Sequence, residues 1–390
     1  MARGLSKYFK ICFAGLTVLF LGIGFVKSVF FPTDISMYEQ RTLNKLPAAN
    51  FGSFLDNSFQ SDFDTALGDQ ISFSTYYKKL YNEGTSLADE LFLPIRHNIH
   101  GRYVTYRGSQ LFNGQLVEKS ESLELIKEPM LETARAINSK ISALEDCEFY
   151  FYYINNDTEI NFETGEKRGT YEFLRDNLIL PDANCAVYPI DSFEQYRENF
   201  YYSDHHWNHK GSYRAYLQLL ELLSVEDEAL SPCEELSVPG IFYGSKGLTI
   251  GSTSYYDRIK AFRFDFPPME MSMNGQPLPD YGDLEGIISQ NLPVVSYAAV
   301  YGDDLGCFKV STNRPEKENL LIMGDSYDNA LIKLIASHFN DTHSVDMRYY
   351  YYLTGESFVL EDYLEENNIS KILFIGGSEF YHGLPDGTGW

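Results

Sequence analysis

Cysteine, tryptophan and histidine are scarce in this chain: five, two and eight in 390 residues. No two cysteines form a C-x-x-C pair and their spacings match no zinc knuckle, which removes the commonest metal and redox readings. Basic residues are also short, 31 against 55 acidic, for a net charge of −24. Nucleic-acid binding needs Lys and Arg clustered against phosphates, so that class of function is excluded. Internal repeats and low-complexity tracts are absent. Long apolar runs are absent too, with one exception.

That exception opens the chain. Residues 1–10 carry Arg3, Lys7 and Lys10, and "ICFAGLTVLFLGIGFV" (11–26) has no charge. Lys27 can snorkel, so the stretch extends through Phe31 to spanning length. No small-x-small cleavage site follows. The reading is a cytoplasmic basic segment (1–10), a signal anchor or transmembrane helix (11–31) and a chain that lies outside the cytoplasm from about residue 32. A cleaved signal peptide is the alternative, and it leaves the bulk of the chain in the same place. Without the four basic residues of the anchor region, the rest carries 27 basic against 55 acidic residues. Such an acidic surface suits solubility outside a cell. In an oxidising space the even set Cys147, Cys185, Cys233 and Cys307 predicts disulfides. Cys147 and Cys185 each precede an apolar strand-like run, so they are expected to pair, leaving Cys233 with Cys307.

Residues 32–97 read as a membrane-proximal arm and 98–390 as the main domain. Within that domain, "NIHGRYVTYRGSQLFNG" suggests short strands with Gly turns. A βα alternation follows. Strand-like runs fall at 147–155, 184–191, 318–326, 343–350 and 371–377, and helical spacing at 117–145, 169–180, 211–223, 329–339 and 356–368. This predicts an α/β fold with a mostly parallel sheet covered on both faces. Residues 232–317, rich in Gly, Pro, Tyr and Ser, break the alternation and read as a β-rich insertion or long loops.

Two stretches carry chemistry. "LLIMGDSYDNAL" ends an apolar strand at Gly324-Asp325-Ser326, with a helix expected next, so Ser326 is a candidate nucleophile at a strand's carboxyl end. "YYSDHHWNHKGS" supplies what a serine needs, an imidazole base and a carboxylate to orient it. Asp204 and His206 are the expected pair, with His205 an alternative base. Asn155, at the end of the 147–155 strand, is a candidate oxyanion donor. Trp207, Tyr327 and Arg348 are candidates for substrate binding, and Arg348 is placed either to bind an anionic group or to pair with Asp346 or Asp325. A zinc site built on His205 and His209, four residues apart and with Asp204 nearby, is the competing reading. It lacks a third clear protein ligand and a general-base Glu, so no metal and no cofactor are expected.

The same motifs resemble a known family. "SDHHWN" with "GSYRAY", "LLIMGDSYDNAL" and "VDMRYY", together with the upstream "EQRTL" and "ALGDQISF", is similar to the DHHW family of bacterial envelope proteins, along roughly residues 38–376. That family is itself similar to the SGNH-hydrolase-like alginate O-acetyltransferases, in which an Asp-x-His element precedes the serine. The resemblance implies an SGNH-like three-layer fold, Ser326 as nucleophile, His206 as base and Asp204 as its orienter. It implies an O-acetyltransferase or esterase acting on an envelope polysaccharide, supplied by an integral membrane acyl exporter. His205 departs from the acetyltransferase pattern, which has a non-histidine there. A catalytically silent polysaccharide-binding or assembly protein on the same fold is the alternative.

Overall fold

The computed structural model describes residues 103–106, 109–119, 122–252, 254–278 and 281–383, together with shorter stretches between residues 13 and 84. Seven residues of the expected 11–31 anchor lie outside the described residues. Among the described residues no helix is long and apolar enough to cross a membrane. The chain divides into two compact units, Met1–Leu91 with Gly251–Ser254, and Phe92–Ile250 with Tyr255–Trp390. In the first unit a helix, Ser58–Gln70, ends in two side chains that bind backbone. Asp69 accepts from the backbone N–H of Asn44 at 2.9 Å, and the Gln70 amide bonds both backbone groups of Thr33 at 2.8 and 2.9 Å.

The second unit begins with a small antiparallel sheet, β1 (Tyr103–Tyr106), β2 (Ser109–Phe112) and β3 (Gln115–Val117). Then come α1 (Leu123–Ala143), β4 (Glu148–Ile154), α2 (Thr170–Asn177), β5 (Cys185–Tyr188), α3 (Phe193–Asn199) and α4 (His209–Leu222). The next stretch holds β6 (Glu234–Ser237), α5 (Ser245–Thr249), β7 (Lys260–Arg263), β8 (Glu270–Met273), β9 (Gln276–Pro277), α6 (Leu284–Gln290), α7 (Tyr297–Tyr301) and β10 (Cys307–Ser311). The chain closes with β11 (Leu320–Met323), α8 (Ile332–Ala336), β12 (Asp341–Val345), α9 (Tyr350–Thr354), α10 (Leu360–Asn367), β13 (Lys371–Gly376) and α11 (Ser378–Gly383).

Eight strands form one sheet in the order β9-β8-β10-β12-β11-β13-β4-β5. The five from β12 to β5 are parallel, and β10, β8 and β9 continue the sheet antiparallel. Alternate side chains of each central strand enter opposite cores. Tyr150, Tyr152 and Ile154 of β4 pack on one face with Ile322, Ile375 and the Ala215–Tyr216–Leu219 stripe of α4. Phe149, Phe151 and Tyr153 pack on the other with Met323, Phe374 and Ile126, Met130, Ala134 and Ile137 of α1. Burial on both faces is why these strands read as unbroken apolar runs. Each such side chain contributes on the order of 1.5–3 kcal/mol.

Residues 232–317, expected as a β-rich insertion or long loops, extend the sheet with β8, β9 and β10. The disulfide expectation is corrected. The described thiols Cys147, Cys185, Cys233 and Cys307 are all free. Register explains the failed pair: Cys185 lies opposite Phe151, four residues beyond Cys147. That offset is about 13 Å at the usual strand rise, roughly twice the reach of a disulfide. Cys307 instead meets the Tyr363 hydroxyl at 3.2 Å.

Candidate active site

The carboxyl ends of β4, β11, β12 and β13 open on one side of the parallel sheet, the edge where such sheets hold ligands. After Met323 the chain turns through Gly324, Asp325 and Ser326. Gly324 has no room for a β-carbon, because Asp328 and Ile375 press against it. The helix expected at 329–339 is shorter and broken: a 3-10 turn, Asp328–Ala330, precedes the five-residue α8. Such short pieces have little macrodipole, so backbone and side-chain N–H groups, not a helix dipole, are the available anion stabilisers.

The "DHHW" stretch is a tight loop closed by backbone bonds. Tyr201 N–H donates to His206 at 3.1 Å and Asn208 N–H to Asn199 at 2.8 Å. Asn208 then caps α4, accepting from the Lys210 and Gly211 N–H groups at 2.9 and 3.2 Å. Asp257 holds the loop's start through Tyr202 N–H, Ser203 N–H and the Ser203 hydroxyl at 3.0, 2.7 and 2.6 Å.

This loop delivers the two ring nitrogens of His206 to opposite partners. Nε2 lies 2.7 Å from Ser326 Oγ and Nδ1 lies 2.6 Å from Asp204 Oδ1. Asp204 also accepts the His206 N–H at 2.9 Å and the Ser245 N–H at 2.6 Å. Burial works to raise the Asp204 pKa, but the charges of His206 and His205 outweigh it and hold the group well below the usual carboxylate range. An ionised Asp204 keeps the proton on Nδ1 and leaves Nε2 free to accept from Ser326. Tyr297 stacks flat on the His206 ring, 3.9 Å between centroids at 7°, and fixes its plane.

His205 faces elsewhere. Its Nδ1 meets Ser245 Oγ at 2.7 Å, and burial, with the His206 charge adding, pushes its pKa down. Of the two adjacent histidines, His206 is thus the one that touches the serine. Tyr327, a candidate for substrate binding, spends its hydroxyl on the His205 carbonyl at 2.8 Å and braces the loop. Trp207 is fully buried against Tyr188 and Tyr327, so it offers no surface for stacking a ligand. Asn155 misses the site by one residue: it lines a separate small hollow with Glu159 and Lys167. Strand alternation sends Asn156 into the cavity with Ser326 instead. Its Oδ1 accepts from Thr158 N–H and Oγ1 at 2.9 and 2.7 Å, and its Nδ2 donates weakly to the Tyr327 hydroxyl at 3.5 Å, which leaves a second N–H for a ligand. Arg348 lines the same cavity but is bound to Asp346 at 2.5–3.1 Å and to Asp304 at 3.1 Å.

Sequence reasoning also missed Ser245 and Lys246, on a loop about forty residues downstream of the histidines. Lys246 is buried in an ion pair with Asp157 at 2.5 Å and pins this loop to the end of β4. Gly244 has no space for a side chain because Asp204 and Ser203 lie against it. No local pattern announces such a contact. His209 does not join the site; it meets Glu235 at 3.1 Å. Asp204, His205 and His206 each offer a ligand atom within 4.8 Å of the others, a geometry that also fits a metal ion.

No protein-family profile matches the chain, and no curated protein does. Solved structures do. A DHHW family protein from Eubacterium siraeum superposes with a TM-score of 0.55 at 15% identity, over 72% of this chain and 94% of that one. PatB1 from Bacillus cereus, solved with a sulfonyl adduct, gives 0.51 at 16% identity over 71% and 94%, and another PatB1 structure gives 0.50 at 15% over 73% and 99%. The chain therefore resembles DHHW proteins and PatB1 in fold.

Proposed function

We propose that this chain is a membrane-anchored, extracytoplasmic serine acyltransferase or esterase that acts on an envelope polysaccharide, with O-acetylation as its reaction. The observation that carries this is the continuous chain Ser326 Oγ, His206 Nε2, His206 Nδ1, Asp204 Oδ1 at 2.7 and 2.6 Å. Ser326 Oγ attacks the acyl carbonyl and gives its proton to His206 Nε2. The tetrahedral oxyanion takes hydrogen bonds from donors such as Asn156 Nδ2. His206 returns the proton to the leaving alcohol, and the acyl group stays on Ser326. A sugar hydroxyl then loses its proton to His206 and attacks the acyl-serine; the Ser326 Oγ–acyl bond breaks, His206 returns the proton to Oγ, and the sugar carries the acyl group away; water does the same in hydrolysis. Outside the cytoplasm the acyl donor has to be delivered, so an integral membrane acyl exporter is the expected partner.

PatB1, similar in fold, was solved with a sulfonyl adduct, and the serine reading expects Ser326 of this chain to take one as well. The test is phenylmethylsulfonyl fluoride on the full-length chain, read by peptide mass spectrometry. One adduct on Ser326, lost in His206→Ala, is expected; no adduct on Ser326 sinks the reading. A metal-dependent hydrolase is the second reading, favoured by the closeness of Asp204, His205 and His206. It predicts loss of ester turnover with chelators, whereas the serine mechanism predicts none.

A further inference from the structure

The cavity that holds Ser326 measures about 270 Å³, close to the lower end for ligand pockets. Among the described residues, its lining holds four carboxylates, Glu118, Asp325, Asp346 and Glu379, against one formal cation, Arg348. That cation is outweighed by its own partners. Its Nη2 alone lies 2.5 Å from Asp346 and 3.1 Å from Asp304, two carboxylates on one guanidinium. The nearest lysine behind the site, Lys246, is buried against Asp157 and the Tyr196 hydroxyl. Burial raises Asp325 to about 6, and burial with the charge of Asp157 raises Glu118 to about 7. Burial here outweighs the nearby charges of Arg348 and Lys246, so Glu118 is partly neutral at pH 7 and an entering cation draws it to the ionised form.

We propose that this cleft selects its acceptor by charge, favouring an amine-bearing sugar, tolerating a neutral one and excluding a uronate. The inference rests on the acyl-transfer reading above and names the acceptor class for it. Low-dielectric walls focus the field of the carboxylates on whatever enters. An anionic sugar would meet Glu118 and Glu379 beside a guanidinium whose charge Asp346 and Asp304 already outweigh. A sugar ammonium would find in them the counter-charge that Arg348 and Lys246 have already found elsewhere.

The test is binding, so that it does not depend on turnover. The full-length chain carrying Ser326→Ala, in detergent micelles, is titrated calorimetrically with size-matched oligomers of glucosamine, glucose and galacturonate. The expected Kd order is glucosamine, then glucose, then galacturonate, with a spread of tenfold or more between the ends. The chain's net charge of −24 repels polyanions at long range, so rank alone does not locate the effect. Adding Glu118→Gln and Glu379→Gln is expected to shrink the spread to under threefold. Raising the salt, which screens exposed charges, gives a second reading without mutation and is expected to narrow the spread in the parent protein. Galacturonate binding as tightly as glucosamine, a spread unmoved by both changes, or no binding of any oligomer overturns the proposal. Failure of sulfonyl labelling at Ser326 would sink the acyl reading and leave this titration unchanged, while a reversed order here would leave the label intact.

Discussion

Two cavities divide the "DHHWNH" stretch between them. His205 lines the smaller one, about 270 Å³, where His206 reaches Ser326, while His209 lines a larger one of about 370 Å³ beside Phe262, Phe264 and Phe266. The larger cavity is the more apolar, which by general rule makes it the first candidate for a ligand site. Yet it presents no nucleophile with a base. Its half-buried amine, Lys333, donates to the Gly282 carbonyl at 2.8 Å, and its histidine faces Glu235. The smaller cavity has a serine, an imidazole and a carboxylate in series. Volume and apolar lining identify space; the order of donor and acceptor atoms identifies a reaction.

The largest effect that would break this comparison is loss of the serine. Ser326→Ala is expected to cut acetyl-ester turnover on the order of 10⁶-fold, and His206→Ala nearly as far. The double variant should be no worse than either, because the two groups act as one unit. Asp204→Ala should cost less, since an unoriented imidazole still samples the productive pose. Rates with p-nitrophenyl acetate check all four. Activity within tenfold of the parent in Ser326→Ala would place the chemistry elsewhere, with the larger cavity next in line.

Much of this arrangement was legible before the fold. Leu320–Met323, Lys371–Gly376 and Glu148–Ile154 are strands buried on both faces, and a run such as "KILFIG" has few other uses in a soluble domain. Asp204, His206 and Ser326 were legible because two of the three share a five-residue loop and the third ends an apolar strand. What escaped was set by geometry that sequence does not encode locally. Asn156 instead of Asn155 is a question of strand phase at the last residue. Ser245 reaches Asp204 only because the Lys246–Asp157 pair draws a distant loop to the end of β4. The cysteine reading failed because similar strand contexts do not fix register, and a four-residue offset separates Cys147 from Cys185.

An intermediate effect concerns the electrostatics of the smaller cavity. Burial raises Asp325 from the ordinary carboxylate range to about 6, so the folded chain holds a proton there that the unfolded chain releases near pH 4. The native state then binds more protons than the unfolded one between those values, and stability falls as pH rises from about 4 to about 6 on this group's account. Asp325→Asn keeps an acceptor for the Tyr327 N–H, now at 3.1 Å, and removes the titration. Urea unfolding of both proteins at pH 4, 5, 6 and 7.5 should show the variant matching the parent at pH 4 and exceeding it by about 2 kcal/mol at pH 7.5. A gap that does not change with pH would mean that Asp325 is ionised throughout and that the cavity is wetter than its burial suggests.

The smallest expected effect lies in the larger cavity, and it sharpens the comparison most. Phe264 packs there against Tyr213 and Phe266, at 5.8 and 5.7 Å between ring centroids, and meets none of Ser326, His206 or Asp204. His209 sits three residues past His206, but its ring lies against Phe262 at 4.7 Å and its Nε2 at Glu235. If reaction and acceptor binding both belong to the smaller cavity, Phe264→Ala and His209→Gln should change kcat/KM for p-nitrophenyl acetate, and for acetyl transfer to glucosamine oligomers, by less than twofold. Both should lower the melting temperature by a few degrees, because they remove packing from a partly buried aromatic cluster. Melting curves taken beside the rates separate the two outcomes. A tenfold rise in KM for the sugar, with hydrolysis of the small ester untouched, would make the larger cavity a second sugar subsite. A tenfold loss on both substrates would mean that the two cavities work as one, and that the three histidines of "DHHWNH" serve a single site after all.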